Sequence, residues 1–144
     1  NGDRAQNNLH TLQINPVLVK AAQAKANDMA AKSYFAHVSP LGVDPWHWFK
    51  EAGYSFDYAG ENLAVDFSDS SDVNAAWMNS PSHRENILSP HFTETAIAPS
   101  QCTPLAGVRC ALLVCRSKQD SRREHSRDSD RDRTCHLVEQ RGFG

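Results

Sequence analysis

Residues 77–88 read WMNSPSHRENIL and predict two short helices separated by a tight break. Ser80-Pro81 marks the break, because proline lacks the N–H that a helix interior needs and suits the first position of a new helix. In the second helix, the spacing of His83, Asn86 and Ile87 by three and four residues places them on one face. We expect Trp77 to anchor the first helix.

The chain before this stretch predicts further helices and a loop, and a short helix follows the loop between Asp44-Pro45 and Gly53. Asn15-Pro16 supplies a capping side chain and a proline, and apolar residues at helical spacing continue the helix to about residue 32. Residues 3–10 predict a short first helix with an apolar edge formed by Ala5 and Leu9. Residues 33–43 lack a helical period, so we expect a loop that brings His37 to a defined place.

Shorter patterns predict two strands and the loop and helix between them. Leu63-Ala64-Val65 is an apolar run that suits a strand or a buried turn. Residues 66–72 are rich in Ser and Asp and predict a loop before a helix over 73–79. Residues 91–98 alternate loosely, as a strand entering a sheet does.

Size and charge limit the classes of function. A chain of 144 residues and 16.0 kDa is long enough for one compact unit. Its net charge of −2 and pI near 6.4 favour neither nucleic acid nor an anionic membrane as a partner. No stretch approaches the roughly 20 apolar residues of a transmembrane helix, and the first residues do not resemble a signal peptide. If the protein is exported, we expect its signal to have been removed or left out.

The composition changes sharply after residue 98. The first 98 residues carry six basic and eleven acidic side chains, a net −5, and the remainder carries nine and six, a net +3. The last 46 residues also contain every cysteine of the chain, at positions 102, 110, 115 and 135. Their spacing matches no standard zinc motif, so their pairing stays open.

Several motifs occur together in an order that resembles a known family. They are Asn15-Pro16 with its alanine-rich helix, HVSP at 37–40, GENLA at 60–64, the stretch 77–88, and FTE at 92–94. Over about residues 5–98 this succession resembles bacterial members of the cysteine-rich secretory protein, antigen 5 and pathogenesis-related (CAP) superfamily, the SCP-like domains. The resemblance implies an α+β fold, a three-layer α-β-α sandwich, in a protein that is secreted and extracellular or associated with the cell wall.

The same resemblance implies a cleft of histidines and glutamates. His37 and Glu61 fall on the family's first histidine and on the glutamate of its GEN motif, and His83 falls on the histidine of the bacterial branch. His91 resembles a histidine of the eukaryotic members and is a weaker candidate. The second glutamate of those members has no counterpart here, since its place falls near Ser80.

These residues allow more than one chemistry. Two imidazoles and a carboxylate can bind Zn²⁺ or another divalent cation, with His37, Glu61 and His83 as ligands and His91 as a weaker one. They could also act as general acid and base, but no residue is assigned a catalytic role. The structural alternative is a buried hydrogen-bond network that holds three loops together. No nucleophile motif of a covalent hydrolase is present.

The segment 99–144 departs from the family pattern, which continues with glycine-rich and aromatic strands. Residues 116–134 are almost entirely charged or polar and do not predict a strand. A change of reading frame near residue 99 would explain the switch, and a disulfide-bearing or disordered extension is the alternative. We therefore predict a CAP/SCP-like domain over 1–98 and an atypical segment over 99–144, with the final strands of the sandwich in doubt.

The function implied by the resemblance is binding or interaction outside the cell, with metal dependence open. The partner expected is an extracellular protein, a cell-wall component or a lipid, and no nucleic acid or transmembrane segment is expected. The alternatives are a metal-assisted, protease-like hydrolase and a lipid or sterol carrier. Trp46, Trp48 and Phe49 could line a ligand groove, although tryptophans on a short helix are more often core anchors.

Overall fold

A computed structural model describes residues 1–67 and 69–99 with their side chains, together with the backbone of residue 100 and of two later strands. Within these parts of the chain the helices are α1 (Gly2–Gln6), α2 (Pro16–Ala31), α3 (His47–Glu51), α4 (Ser70–Asn79) and α5 (Pro81–Leu88). The strands are β1 (Gln13–Ile14), β2 (Phe56–Phe67), β3 (Glu94–Ser100), β4 (Val108–Ser117) and β5 (Cys135–Arg141).

The described strands form one mixed sheet in the order β1-β3-β4-β2-β5. Strand β4 runs antiparallel to both β2 and β3, whereas β5 pairs with β2 and β1 pairs with β3 in parallel. The final strands that the sequence left in doubt are β4 and β5, and their backbones flank β2 on both sides. Arg116 and Ser117, which we did not expect in a strand, end β4, and residues 118–134 lie outside the described part.

Alternation along β2 assigns its side chains to two layers. Ala59 packs with α2 and α3, and Leu63 packs against Met29 of α2. Ala64 points the other way, into a cluster with Trp77 of α4. Because successive side chains of a strand face opposite sides of the sheet, β2 joins the helical layers of an α-β-α sandwich, as expected. The two main clusters comprise Leu18, Ala21, Ala22, Phe49, Tyr54, Ala59, Ala96 and Ala98, and Leu12, Ala64, Val73, Trp77, Ile87 and Phe92.

Capping side chains set the helix starts. The Asn15 side chain accepts hydrogen bonds from the backbone N–H groups of Val17 and Leu18, as the sequence predicted. The loop predicted over 66–72 is wrong in extent, because β2 runs to Phe67 and α4 begins at Ser70. The physical reason is the Asp69 side chain, which caps α4 by accepting from the backbone N–H of Ser71.

The structure differs from the sequence-based expectations in the buried face of α1 and in the start of β3, and buried Arg4 contacts both regions. Ala5 is exposed and Leu9 only half-buried, so the apolar edge predicted for the first helix is wrong, and Arg4 is the buried residue of α1 instead. Its guanidinium donates to the carbonyls of residues 10, 87, 89 and 92 at 2.7–3.3 Å. Strand β3 begins at Glu94 rather than at the predicted His91, and the carbonyls of residues 89 and 92 in the segment before it bind Arg4 instead.

Replacing Arg4 with Ala should lower the free energy of unfolding by about 3 kcal/mol, because several buried carbonyls lose a charged donor. Burial lowers the pKa of Arg4 below its ordinary value, and the guanidinium stays charged at neutral pH. Urea denaturation followed by circular dichroism measures the change. Arg84→Ala, at an exposed position, is the control, and equal stability of the two variants would contradict the prediction.

Candidate functional site

The described residues bring two of the predicted site residues into direct contact. His37 Nδ1 lies 2.6 Å from Glu61 Oε1, and the two side chains are almost fully buried. A carboxylate oxygen only accepts hydrogen bonds, so Nδ1 carries the proton and donates it. Such a charge-assisted bond fixes both the tautomer and the orientation of the imidazole.

The loop that carries His37 is held from helix α2. Lys25 is fully buried, and its Nζ donates to the carbonyl oxygens of Ala36 at 2.9 Å and His37 at 2.6 Å. The ammonium also lies 5.2 Å from the ring centre of Tyr34. The residue before His37 and His37 itself are therefore attached to the helix through their backbone.

Ser39 organises the next part of the same loop. Its backbone N–H donates to the carbonyl of Val43, and its Oγ accepts from the N–H groups of Leu41 and Val43. Gly42 closes the turn at a φ of 78°, in the left-handed region that glycine tolerates best. The turn leaves Val38 48% and Leu41 79% exposed, beside the buried His37.

His83 is attached to the strand of Glu61 through a pair of buried asparagines. Asn62 Nδ2 donates to the His83 carbonyl at 3.1 Å, and Asn86 Nδ2 donates to Asn62 Oδ1 at 2.7 Å. The imidazole of His83 has its Nδ1 2.8 Å from Ser80 Oγ and stacks beside Trp77, with ring centres 6.4 Å apart. As predicted, His83, Asn86 and Ile87 share the buried face of α5.

A second cluster of polar side chains, Asp28, Lys32 and Tyr34, lies at the C-terminal end of α2. Tyr34 donates its hydroxyl proton to Asp28 at 2.6 Å, and Lys32 pairs with Asp28 at 2.6 Å. Burial alone would raise the pKa of Asp28, but the hydrogen bonds of Lys32 and Tyr34 and the charges of Lys32 and Lys25 together hold it below its usual range. Burial, the bond to Asp28 and the charges of Asp28 and Glu61 raise the pKa of Tyr34.

The donor chemistry of the predicted metal set fits zinc, but the described residues do not gather it into a complete site. Among residues 1–67 and 69–99, no group of three or more His, Cys, Asp or Glu side chains is arranged to hold a metal ion. Glu61 Oε2 is buried without a hydrogen-bond partner among these residues, and the Nε2 atoms of His37 and His83 are buried as well. The weaker candidate His91 is exposed and lies elsewhere, in a surface groove.

That groove has a volume of about 840 Å³ and runs along the exposed side of α5. At one wall the rings of Tyr58 and His91 stack, with centres 4.8 Å apart and planes 11° apart. The other described lining residues mix apolar and polar side chains: Met78, Asn79, Pro81, Arg84, Glu85, Leu88, Ser89, Pro90 and Phe92. Sequence reasoning missed this groove, because Tyr58 of β2 meets the stretch 78–92 only in the folded chain.

Comparison with known proteins decides the family. The model of the cysteine-rich secretory protein family, CAP, matches residues 1–116. The chain belongs to this family. The match passes the boundary predicted at residue 98, and the division into a domain and an atypical segment stays a prediction. This CAP domain has no helix long and apolar enough to cross a membrane within its described residues.

Relatives of the CAP domain come from bacteria. It is 43% identical over 97 residues to the uncharacterized protein YkwD of Bacillus subtilis, a match that covers 67% of this chain and 38% of YkwD. An extracellular SCP-domain protein of Bacillus anthracis has a TM-score of 0.71 at 26% identity, over 80% of this chain and 37% of that one. An outer surface protein of Borrelia burgdorferi has a TM-score of 0.74 at 25% identity, over 81% and 86% of the two chains.

These matches establish the fold and leave the activity open. The CAP domain spans less than two fifths of the length of YkwD and of the Bacillus anthracis protein. The two structural relatives are described as an extracellular protein and an outer surface protein. The described location is that of those two proteins. Any activity of the unmatched parts of the longer chains is likewise a property of those chains.

The asparagine pair should show strong energetic coupling. Asn62→Ala and Asn86→Ala should each destabilise the protein, and the double variant should lose about 1 to 2 kcal/mol less than the sum, because the two amides bond each other. Urea denaturation of the wild type and the three variants completes the cycle. Strict additivity would show that the pair does not act as a unit.

Tyr34→Phe should destabilise the CAP domain by about 1 to 2 kcal/mol at pH 7, because Asp28 loses a hydrogen bond to its charged form. A carboxyl group whose folded pKa is depressed stabilises the fold above its unfolded pKa of about 3.9 and loses that contribution as the pH falls through the folded pKa. The difference between wild type and variant should therefore shrink below about pH 4. Thermal unfolding from pH 2 to 7 tests this, with Tyr58→Phe as the control; a difference independent of pH would contradict it.

Proposed function

We propose that this CAP domain is an extracellular binding module that takes its ligand into the groove along α5. The groove is the observation that carries the proposal. Its volume of about 840 Å³ lies within the range of about 300–1,000 Å³ that is usual for ligand sites.

The lining of the groove supports a binding role. The stacked rings of Tyr58 and His91 offer a flat, preformed contact surface, and the half-buried Met78 supplies apolar area. Arg84 and Glu85 place one charge of each sign at the same groove. Binding sites typically combine such apolar surface with a few polar groups that orient the ligand.

The net charge of the domain and the description of its relatives restrict the class of ligand. The net charge of −5 over residues 1–98 disfavours polyanionic surfaces such as nucleic acid or acidic lipid. The relatives that are described as extracellular or outer surface proteins support a location outside the cell. We therefore expect a cell-wall component or an extracellular protein rather than an anionic membrane.

A metal-assisted hydrolase is the second candidate function. It is favoured by Glu61 Oε2, a buried carboxylate oxygen without a hydrogen-bond partner among the described residues. In this proposal His37, Glu61 and His83 would hold a divalent cation, with Zn²⁺ the first ion to test. The ion would supply an activated water, and His37 and Glu61 would already be aligned by their mutual hydrogen bond.

Nuclear magnetic resonance can separate the two functions. We expect soluble peptidoglycan fragments to shift the backbone amide signals of Met78, Arg84 and His91, and the shifts to disappear in Met78→Asp. Leu41→Asp is the matched control, because it adds the same charge at an exposed apolar residue of the His37 loop. Shifts that survive in Met78→Asp, or no response at the groove, would contradict the binding proposal for this ligand class.

Zinc titration by calorimetry tests the alternative on the wild type and on the double variant His37→Ala/His83→Ala. The binding proposal expects the same weak heat from both proteins. Tight binding that is lost in the double variant, together with hydrolysis that stops in folded Glu61→Ala, would establish the hydrolase instead.

A further inference from the structure

Lys25 occupies a position where the sequence predicts an apolar side chain. It follows Leu18, Ala21 and Ala22 at helical spacing, and all four residues are buried on one face of α2. Removing an ammonium group from water costs several kcal/mol unless hydrogen bonds compensate it. A methionine would fill the same space on this face without that cost, so packing alone does not account for a lysine.

Two hydrogen bonds of Lys25 reach the loop before and at His37. Its Nζ donates to two successive carbonyls, those of Ala36 and His37, and the bond to His37 is the shorter at 2.6 Å. Aromatic and acidic side chains lie in the same region. Tyr34 places its ring 5.2 Å away, the Lys25 charge acts on Asp28, and the Glu61 charge reaches Tyr34.

We propose that Lys25 is the positioning residue of the His37 and Glu61 pair. Its ammonium binds the backbone carbonyls of Ala36 and His37. These bonds hold the loop at the position where His37 Nδ1 reaches Glu61 Oε1. The Ser39 turn fixes the other end of the loop, through hydrogen bonds among residues 39, 41, 42 and 43. The proposal concerns loop placement and holds whatever ligand the protein takes.

The test measures the His37 Nδ1 proton in the full chain by nuclear magnetic resonance at one fixed pH. Lys25→Met keeps the length and volume of the side chain and removes the charge and the donors. We expect the Nδ1 proton to exchange with water about tenfold faster or more, because its hydrogen bond to Glu61 opens when the two hydrogen bonds of the ammonium are lost. Lys20→Met, at an exposed position of the same helix, should exchange at the wild-type rate.

A purely structural role for Lys25 predicts a different result. If Lys25→Met folds and its His37 proton stays as protected as in the wild type, the proposal is wrong. Should this variant fail to fold, Lys25→Arg decides the question, since its longer, forked donor group displaces the two carbonyls while keeping the charge. The proposal expects a folded Lys25→Arg protein with a shifted His37 Nδ1 signal, and an unshifted signal overturns it.

Discussion

A carboxylate buried in the middle of the sheet is the constraint on which the rest of the structure depends. Glu61 lies in β2 with neighbouring strands on both sides and no exposed surface. A buried charge of this kind is tolerated only when donors reach it. The loop after α2 brings His37 to Glu61, and the Lys25 bonds and the Ser39 turn hold that loop in place.

The opposite face of β2 repeats the same principle with neutral groups. Asn62 points toward α5, where its amide bonds the His83 carbonyl and receives a hydrogen bond from Asn86. Polar side chains thus join β2 to both helical layers, alongside apolar contacts such as Leu63 with Met29 and Ala64 with Trp77. Buried hydrogen bonds are directional, so they specify the register of the layers more sharply than apolar packing alone.

The two candidate functions use different parts of this framework. Binding in the groove uses side chains that are already accessible, on the outer side of α5 and around Tyr58 and His91. Metal-assisted hydrolysis uses the interior, where His37 and Glu61 are held by each other and His83 is held by Ser80 and Trp77. Accessibility therefore favours the groove, whereas the buried Glu61 Oε2 is the feature that keeps the interior chemistry in contention.

The sequence by itself determined the local elements and the identity of the central pair. Capping side chains and helical spacing predicted α2 and the buried face of α5, because those signals act over a few residues. The motif that resembles the CAP family singled out His37 and Glu61, which the structure brings together. Alternation was too weak to place the start of β3, and the segment before it is bound by Arg4, more than 80 residues away.

Only the tertiary structure decided which charged residues are buried and where each candidate histidine lies. Arg4 and Lys25 carry charges that ordinarily face solvent, and their burial depends on backbone carbonyls that other segments present to them. His83 and His91 were candidates for one site, yet His83 packs beside Trp77 and His91 stacks on Tyr58 in the groove. The physical reason is that these contacts join different elements, and the elements meet only after the layers have packed.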